Sequence, residues 1–189
     1  MAAPAKEQRR VGERVVVVGT SGSGKTTFAG NLAKIIGAPH IELDSLHWEP
    51  NWTEAELEVF RNRVRGALNE PRWVIDGNYS KVRDLIWPHA DTIVWLDYEL
   101  PVVMWRLAKR TFRRVFTQEE LWSGNKEQLH IQLFTRDSIF WWAWTSHPRY
   151  RKEYAELFQQ AEQRHLQIVQ LKTPEQAQEW LGYNQARFP

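Results

Sequence analysis

The sequence predicts an α/β fold, with a parallel sheet covered by helices on both faces. Three observations point there. Short β-branched runs alternate with segments of helical period along the chain. The first run, Arg14-Val15-Val16-Val17-Val18, passes straight into a glycine-rich loop. Three runs reach an aspartate: Asp44, Asp76 and Asp97. Strands joined by helical crossovers lie parallel, and ligands of such sheets sit at the carboxyl ends of the strands. The loop and the three aspartates are therefore expected around one crevice.

Each element has a local reason. The all-valine run suits a strand buried on both faces. Ala29, Leu32, Ala33 and Ile36 mark a helix that Gly37 stops. His40 to Asp44 reads as a second strand. Thr53 and Glu56 form a capping box for a helix over about 53–69, striped by Leu57, Phe60, Val64 and Ala67 and closed by Pro71. Its early glutamates and later arginines complement the helix dipole. Trp73 to Gly77 is the third strand and Thr92 to Asp97 the fourth, with a short helical stretch from Lys81 to Ile86 between them. Helices are expected over 101–116, 126–144 and 149–165. Leu166 to Leu171 is the last strand, and Pro174 opens a final helix to Leu181. Residues 1–12 read as a flexible leader, 13–182 as a single domain and 183–189 as a tail.

Composition narrows the function. A chain of 189 residues with 42% hydrophobic and 25% charged residues has the balance of one globular domain. Without cysteine there is no disulfide, thiolate metal site or cysteine nucleophile. The formal charge of +2 exerts no strong pull on nucleic acid or membranes. No apolar stretch is long enough to cross a bilayer, and the run after Arg9-Arg10 is too short for an export signal, so a cytoplasmic location is expected. Eleven tryptophans are unusual, and a core built on bulky rings accounts for most of them.

The loop carries the chemistry. Gly19-Thr20-Ser21-Gly22-Ser23-Gly24-Lys25-Thr26 follows a strand and opens a helix, as a phosphate-binding loop must. Gly22 and Gly24 let backbone amides converge on phosphate oxygens, and the helix N-terminus favours the anion. Gly19, Ser21, Gly22, Ser23, Gly24, Lys25, Thr26 and Thr27 are the candidate nucleotide contacts. Lys25 would bridge β- and γ-phosphates, and the Thr26 hydroxyl would complete a Mg²⁺ shell. The expected cofactors are ATP, or GTP, with Mg²⁺.

Together with this loop, Leu43-Asp44, Asp76-Gly77-Asn78-Tyr79 and Leu96-Asp97 resemble the small nucleoside-monophosphate-kinase superfamily, which holds adenylate, shikimate and gluconate kinases. The Leu-Asp followed by His47-Trp48 and Trp52, the phrase Trp73-Val74-Ile75-Asp76-Gly77-Asn78-Tyr79, and Ala90-Asp91 before strand four narrow the resemblance. The chain is more similar still to its bacterial DNA topology modulation branch, related to adenylate kinases. The resemblance spans about residues 13–182. It implies a P-loop NTPase fold with sheet order 2-3-1-4-5, a substrate-binding helical segment after strand two, and a helical lid over about 106–145. It places Asp76 beside Mg²⁺. Adenylate kinases follow the matching Asp-Gly with Phe-Pro-Arg, whose arginine grips the monophosphate. This chain reads Asn78-Tyr79-Ser80, with Lys81 and Arg83 displaced.

Around 106–114 a basic stripe lies beside Trp105, Ala108, Phe112 and Val115. The resemblance puts lid arginines there, making Arg106 and Arg110 candidates for stabilising the transferring phosphoryl; Arg113, Arg114 and Arg136 are secondary. On the acceptor side, Asp44 reads either as the base for a hydroxyl or as a structural cap. His47, Trp48, Asn78, Tyr79 and Arg83 complete the substrate-binding candidates, with Trp52 beside them. The run Phe140 to Trp144 is too aromatic for one helical face, and its exposed part would suit a partner or the second subunit of a homodimer. Two functions follow: a phosphotransferase acting on a small-molecule or nucleotide acceptor, or a nucleotide-binding regulator or ATPase. A DNA-associated form of the second finds no reading helix or recognition motif, so nucleic acid is not the expected partner.

Overall fold

The computed structural model describes residues 11–117, 120–125, 138–162 and 166–188. In chain order the elements are β1 (Arg14–Gly19), α1 (Lys25–Ile36), β2 (His40–Glu42), α2 (Leu43–His47), β3 (Trp48–Glu49), β4 (Thr53–Glu54), α3 (Leu57–Ala67), β5 (Trp73–Asp76), α4 (Arg83–Ile86), β6 (Thr92–Leu96), α5 (Leu100–Thr117), α6 (Ile139–Glu162), β7 (Gln167–Leu171) and α7 (Pro174–Gln185). The main sheet runs β2-β5-β1-β6-β7. With the two-residue hairpin β3-β4 set aside, that is the order 2-3-1-4-5. Every pairing in this sheet is parallel; Val17 stands beside Asp76 on one side and Val94 on the other.

Alternation along β1 builds both sides of the core. Val15 and Val17 join Phe28, Leu32 and Ile36 of α1 and Ala177 and Trp180 of α7. Val16 and Val18 point to the opposite face, where Phe60 and Val64 of α3 pack with Trp73, Trp95, Tyr154 and Phe158. A run of valines serves because neither face of this strand meets water. Burying each such side chain contributes roughly 1.5–3 kcal/mol.

The structure revises several expectations. No capping box opens α3: Thr53 belongs to the β3-β4 hairpin, and Glu56 flanks the helix without a side-chain cap bond. Leu57, expected in the buried stripe, is exposed, whereas Phe60 and Val64 are buried. The chain between Ile139 and Glu162 is one helix that continues through Pro148, not two. The part of the first expected helix over 126–137, and Arg136 with it, lies outside the described residues, as do residues 1–10 of the leader. Val11 is buried, and its amide donates to Asn184 Oδ1 at 3.0 Å. The last helix reaches Gln185, so the expected tail begins inside it.

On α5 the buried line is Val103, Leu107 and Thr111, while Trp105 is 72% and Phe116 81% exposed and Phe112 also faces outward. The apolar face read from the sequence is therefore not the packed one. Tryptophan divides likewise: Trp73, Trp95 and Trp180 are core residues, and Trp141, Trp142 and Trp144 are exposed. Among the described residues no helix is long and apolar enough to cross a membrane.

Candidate active site

At the carboxyl edge of the sheet lies one large crevice of about 1910 Å³. Its inner wall is the loop from Ser21 to Thr27, with Gly19 at the end of β1 leading into it. Gly22 and Gly24 hold φ of 89° and 88°, left-handed values that glycine adopts freely. A Cβ on Gly22 would sit 2.7 Å from the Val103 carbonyl oxygen, so α5 presses directly on the loop. Ser23 is fully buried and its Oγ has no hydrogen-bond partner. A loop wound this way over the start of α1, with a dipole directed outward, fits a polyphosphate.

Behind it stands a polar chain. Thr26 Oγ1 donates to Asp76 Oδ2 at 2.7 Å, and His40 Nε2 donates to Asp76 Oδ1 at 2.9 Å. Both carboxylate oxygens are thus oriented, with Asp76 itself buried at the end of β5. Thr26 and Asp76, the two residues expected at Mg²⁺, are in direct contact. Their hard oxygen donors suit that ion, which keeps much of its water shell and takes few protein oxygens.

Two expectations about strand ends change. β2 stops at Glu42, and Asp44 lies one residue inside α2, still on the crevice wall. Glu42 takes the strand-end position. Burial and then the neighbouring Asp76 raise its pKa, and Trp122 Nε1 donates to it at 3.1 Å. Asp97 does not share the crevice. It is 6% exposed and held by Arg151 Nε at 2.6 Å and Gln170 Nε2 at 2.8 Å. Its role is to anchor α6 to the sheet.

The residues expected at the acceptor stand on α2 and the loop after β5. Tyr79 OH donates to Asp44 Oδ1 at 2.6 Å. Burial, reinforced by the Asp44 charge, raises the Tyr79 pKa, so the phenol stays protonated as a donor. His47 is 3% exposed, packed against Trp48, Phe60 and Tyr79 at 5.0, 4.9 and 4.6 Å between ring centroids. That burial lowers its pKa.

Asn78 is engaged by the backbone: its amide exchanges two bonds with Gly19, and its Oδ1 also accepts from Tyr154 OH at 3.0 Å. Arg83 also lines the crevice, paired there with Glu153 at 2.7 Å.

From α5, Arg106 and Arg110 both reach the crevice, as do Arg113 and Arg114. Arg106 Nη1 donates to the Ser23 carbonyl at 2.9 Å, and its guanidinium lies 5.4 Å from the Tyr98 ring. Burial pushes the Tyr98 phenol up to about 12. Beyond Arg106, Tyr98, Pro174, Ala177 and Leu181 wall the far end. Sequence reasoning missed His40, Glu42, Tyr98 and Trp122. His40 and Glu42 were legible only as strand residues, and Tyr98 and Trp122 stand in no recognisable motif.

No protein-family model and no curated protein matches the chain. Solved structures do. A gluconokinase from Sinorhizobium meliloti 1021 superposes with a TM-score of 0.52 at 19% identity, covering 95% of this chain and 94% of its own. Shikimate kinase from Bacteroides thetaiotaomicron gives 0.54 at 15% identity, covering 93% and 97%. At such identities the likeness is one of fold: the five-stranded parallel sheet and its helices have the architecture of small P-loop kinases over nearly their whole length.

Proposed function

We propose that this chain is an ATP- and Mg²⁺-dependent phosphotransferase that moves the γ-phosphoryl group to a hydroxyl of a small acceptor. The observation that carries the reading is a carboxylate, Asp44, facing the same crevice as a glycine loop closed over a helix start. The loop amides and Lys25 hold the polyphosphate, while Tyr98, Pro174, Ala177 and Leu181 offer a site for the base. Thr26 and Asp76 would hold the metal, which would supply neutralisation of the phosphate charge.

Asp44 Oδ1 is occupied by the Tyr79 hydroxyl, leaving Oδ2 to accept the proton of the attacking hydroxyl. As the acceptor oxygen bonds to phosphorus, the bond from phosphorus to the ADP oxygen breaks. Lys25 and Arg110 stabilise the charge spread over the transferring group. Arg106 starts from the Ser23 carbonyl, at the edge of the loop. The gluconate and shikimate kinases share this architecture, which supports a hydroxyl acceptor. The finer resemblance to the topology modulation branch rests on the phrases at 43–52 and 73–79 and on Ala90-Asp91.

The test is a screen of sugars, polyols, hydroxy acids and nucleoside monophosphates with Mg-ATP, following ADP release and phosphorylated product. One acceptor-dependent product supports the reading. Nucleotide binding with background turnover across the panel would favour the regulator or ATPase instead.

A further inference from the structure

We infer that the acceptor is a ring compound whose flat apolar face lies against the indoles of Trp48, Trp52 and Trp122, with a hydroxyl directed to Asp44. The inference rests on the phosphotransferase reading. All three indoles line the same crevice as Asp44. None belongs to the packed cores on either face of the sheet, so core packing does not account for them.

A clasp holds them in place. The segment after α5 is bonded to the β3-β4 hairpin at several points. Trp52 N donates to Asn125 Oδ1 at 2.9 Å, and Asn125 Nδ2 donates to the Glu49 carbonyl at 2.9 Å. Ser123 Oγ donates to the Trp48 carbonyl at 2.8 Å, and the Trp122 indole N–H is spent on Glu42. Asn125 is 5% exposed with both ends of its amide satisfied.

The backbone is strained on both sides of this clasp. Asn51, Trp52 and Ser123 have φ of 61°, 56° and 58°, and all are non-glycine residues. Left-handed backbone at a bulky residue is unfavourable; it persists where the surroundings hold it, and it gathers at ligand clamps.

The ring of Trp48 is fixed between His47, at 5.0 Å, and Trp52, at 5.6 Å, each near edge-on. Trp52 itself keeps 37% of its surface open. Aromatic faces set before the ligand arrives recognise other flat faces with little ordering cost. A nucleobase presents such a face, and so does the C–H side of a pyranose. An open-chain polyol has no continuous flat surface to offer.

The experiment measures binding, not turnover. Full-length protein is first titrated with the Mg²⁺ complex of a non-hydrolysable ATP analogue by calorimetry. Adenosine, methyl β-D-glucopyranoside and D-gluconate are then compared by saturation-transfer NMR on the nucleotide-loaded protein. At least one of the two ring probes should bind, and more tightly than gluconate; which one binds identifies the source of the flat face. Trp122→Ala should weaken that probe about tenfold or more, while Trp122→Phe stays within about threefold and nucleotide affinity is unchanged. Thermal unfolding confirms that each variant is folded, and Trp48→Ala provides a second test should Trp122→Ala not fold.

Gluconate binding as tightly as both ring probes would overturn the inference. So would failure of both ring probes, or wild-type affinity in the folded alanine variants. Absent heat with the Mg-nucleotide rejects the phosphotransferase reading instead, and the ring probes are then judged by the same criteria on the nucleotide-free chain.

Discussion

Thr26 Oγ1 donates to Asp76 Oδ2 at 2.7 Å, tying the first turn of α1 to the last residue of β5. The hydroxyl and carboxylate that would hold a hydrated cation are already in contact, and His40 fixes the other carboxylate oxygen. Replacing Asp76 by Asn keeps the shape and removes the charge. The Mg²⁺ concentration needed for half-maximal nucleotide binding should then rise about tenfold or more, read by calorimetry at varied Mg²⁺. An unchanged Mg²⁺ requirement would remove Asp76 from the metal site.

Lys25, the first residue of α1, is proposed to hold the polyphosphate by its charge. Lys25→Ala should weaken Mg-ATP binding and lower kcat by about 10²–10³-fold or more. The variant should remain folded, because the loop is wound by its glycines. Wild-type turnover in folded Lys25→Ala would place the phosphates elsewhere.

Asp44 is proposed to face the acceptor rather than the nucleotide. In Asp44→Asn, Mg-ATP affinity should stay within about twofold while transfer falls by about 10²–10⁴-fold. Loss of nucleotide binding in this variant would contradict the assignment.

His47 gives a pH prediction for stability. Burial among rings lowers its pKa below the ordinary 6.5, so the folded protein holds it neutral while the unfolded chain takes up a proton first. Its contribution is complete above about pH 6.5 and is lost as pH falls below that value. Urea unfolding at pH 7.5 and 5.5 should show wild type losing stability on acidification, with a smaller loss in His47→Phe. Equal losses in the two proteins would mean that His47 does not titrate in this window.

Arg151 is expected to matter for the fold. It carries the ion pair of Asp97, whose carboxylate otherwise accepts from Gln170. Arg151→Ala should lower unfolding free energy by about 1–3 kcal/mol through the buried charge left behind. A change under about 0.5 kcal/mol in urea titrations would show that Gln170 and water suffice.

The valine run of β1 and the glycine loop were legible because backbone geometry dictates them: a two-faced burial and a tight turn. The strand order followed from the family resemblance, since right-handed crossovers alone allow several orders. What could not be read depends on which side of a helix meets its neighbour. Trp105 and Phe112 have the right period for a core stripe, yet α5 packs through Val103 and Leu107 because Gly22 admits that close approach. Asp97 looked equivalent to Asp76, and only the partner arriving from 54 residues away, Arg151, sets it apart. The capping box at Thr53 and Glu56 lost to the β3-β4 pairing, which claims Thr53 for Glu49. At the candidate site, Asp44 and Tyr79 were both visible, but not their mutual bond.

The single amide of Asn78 meets the backbone at Gly19 in both directions and the Tyr154 hydroxyl on α6. The end of β1 that leads into the glycine loop and the long helix α6 are consequently riveted at one point. Neither can tilt without dragging the other, so adjustment to ligands of different size falls to the outer rim.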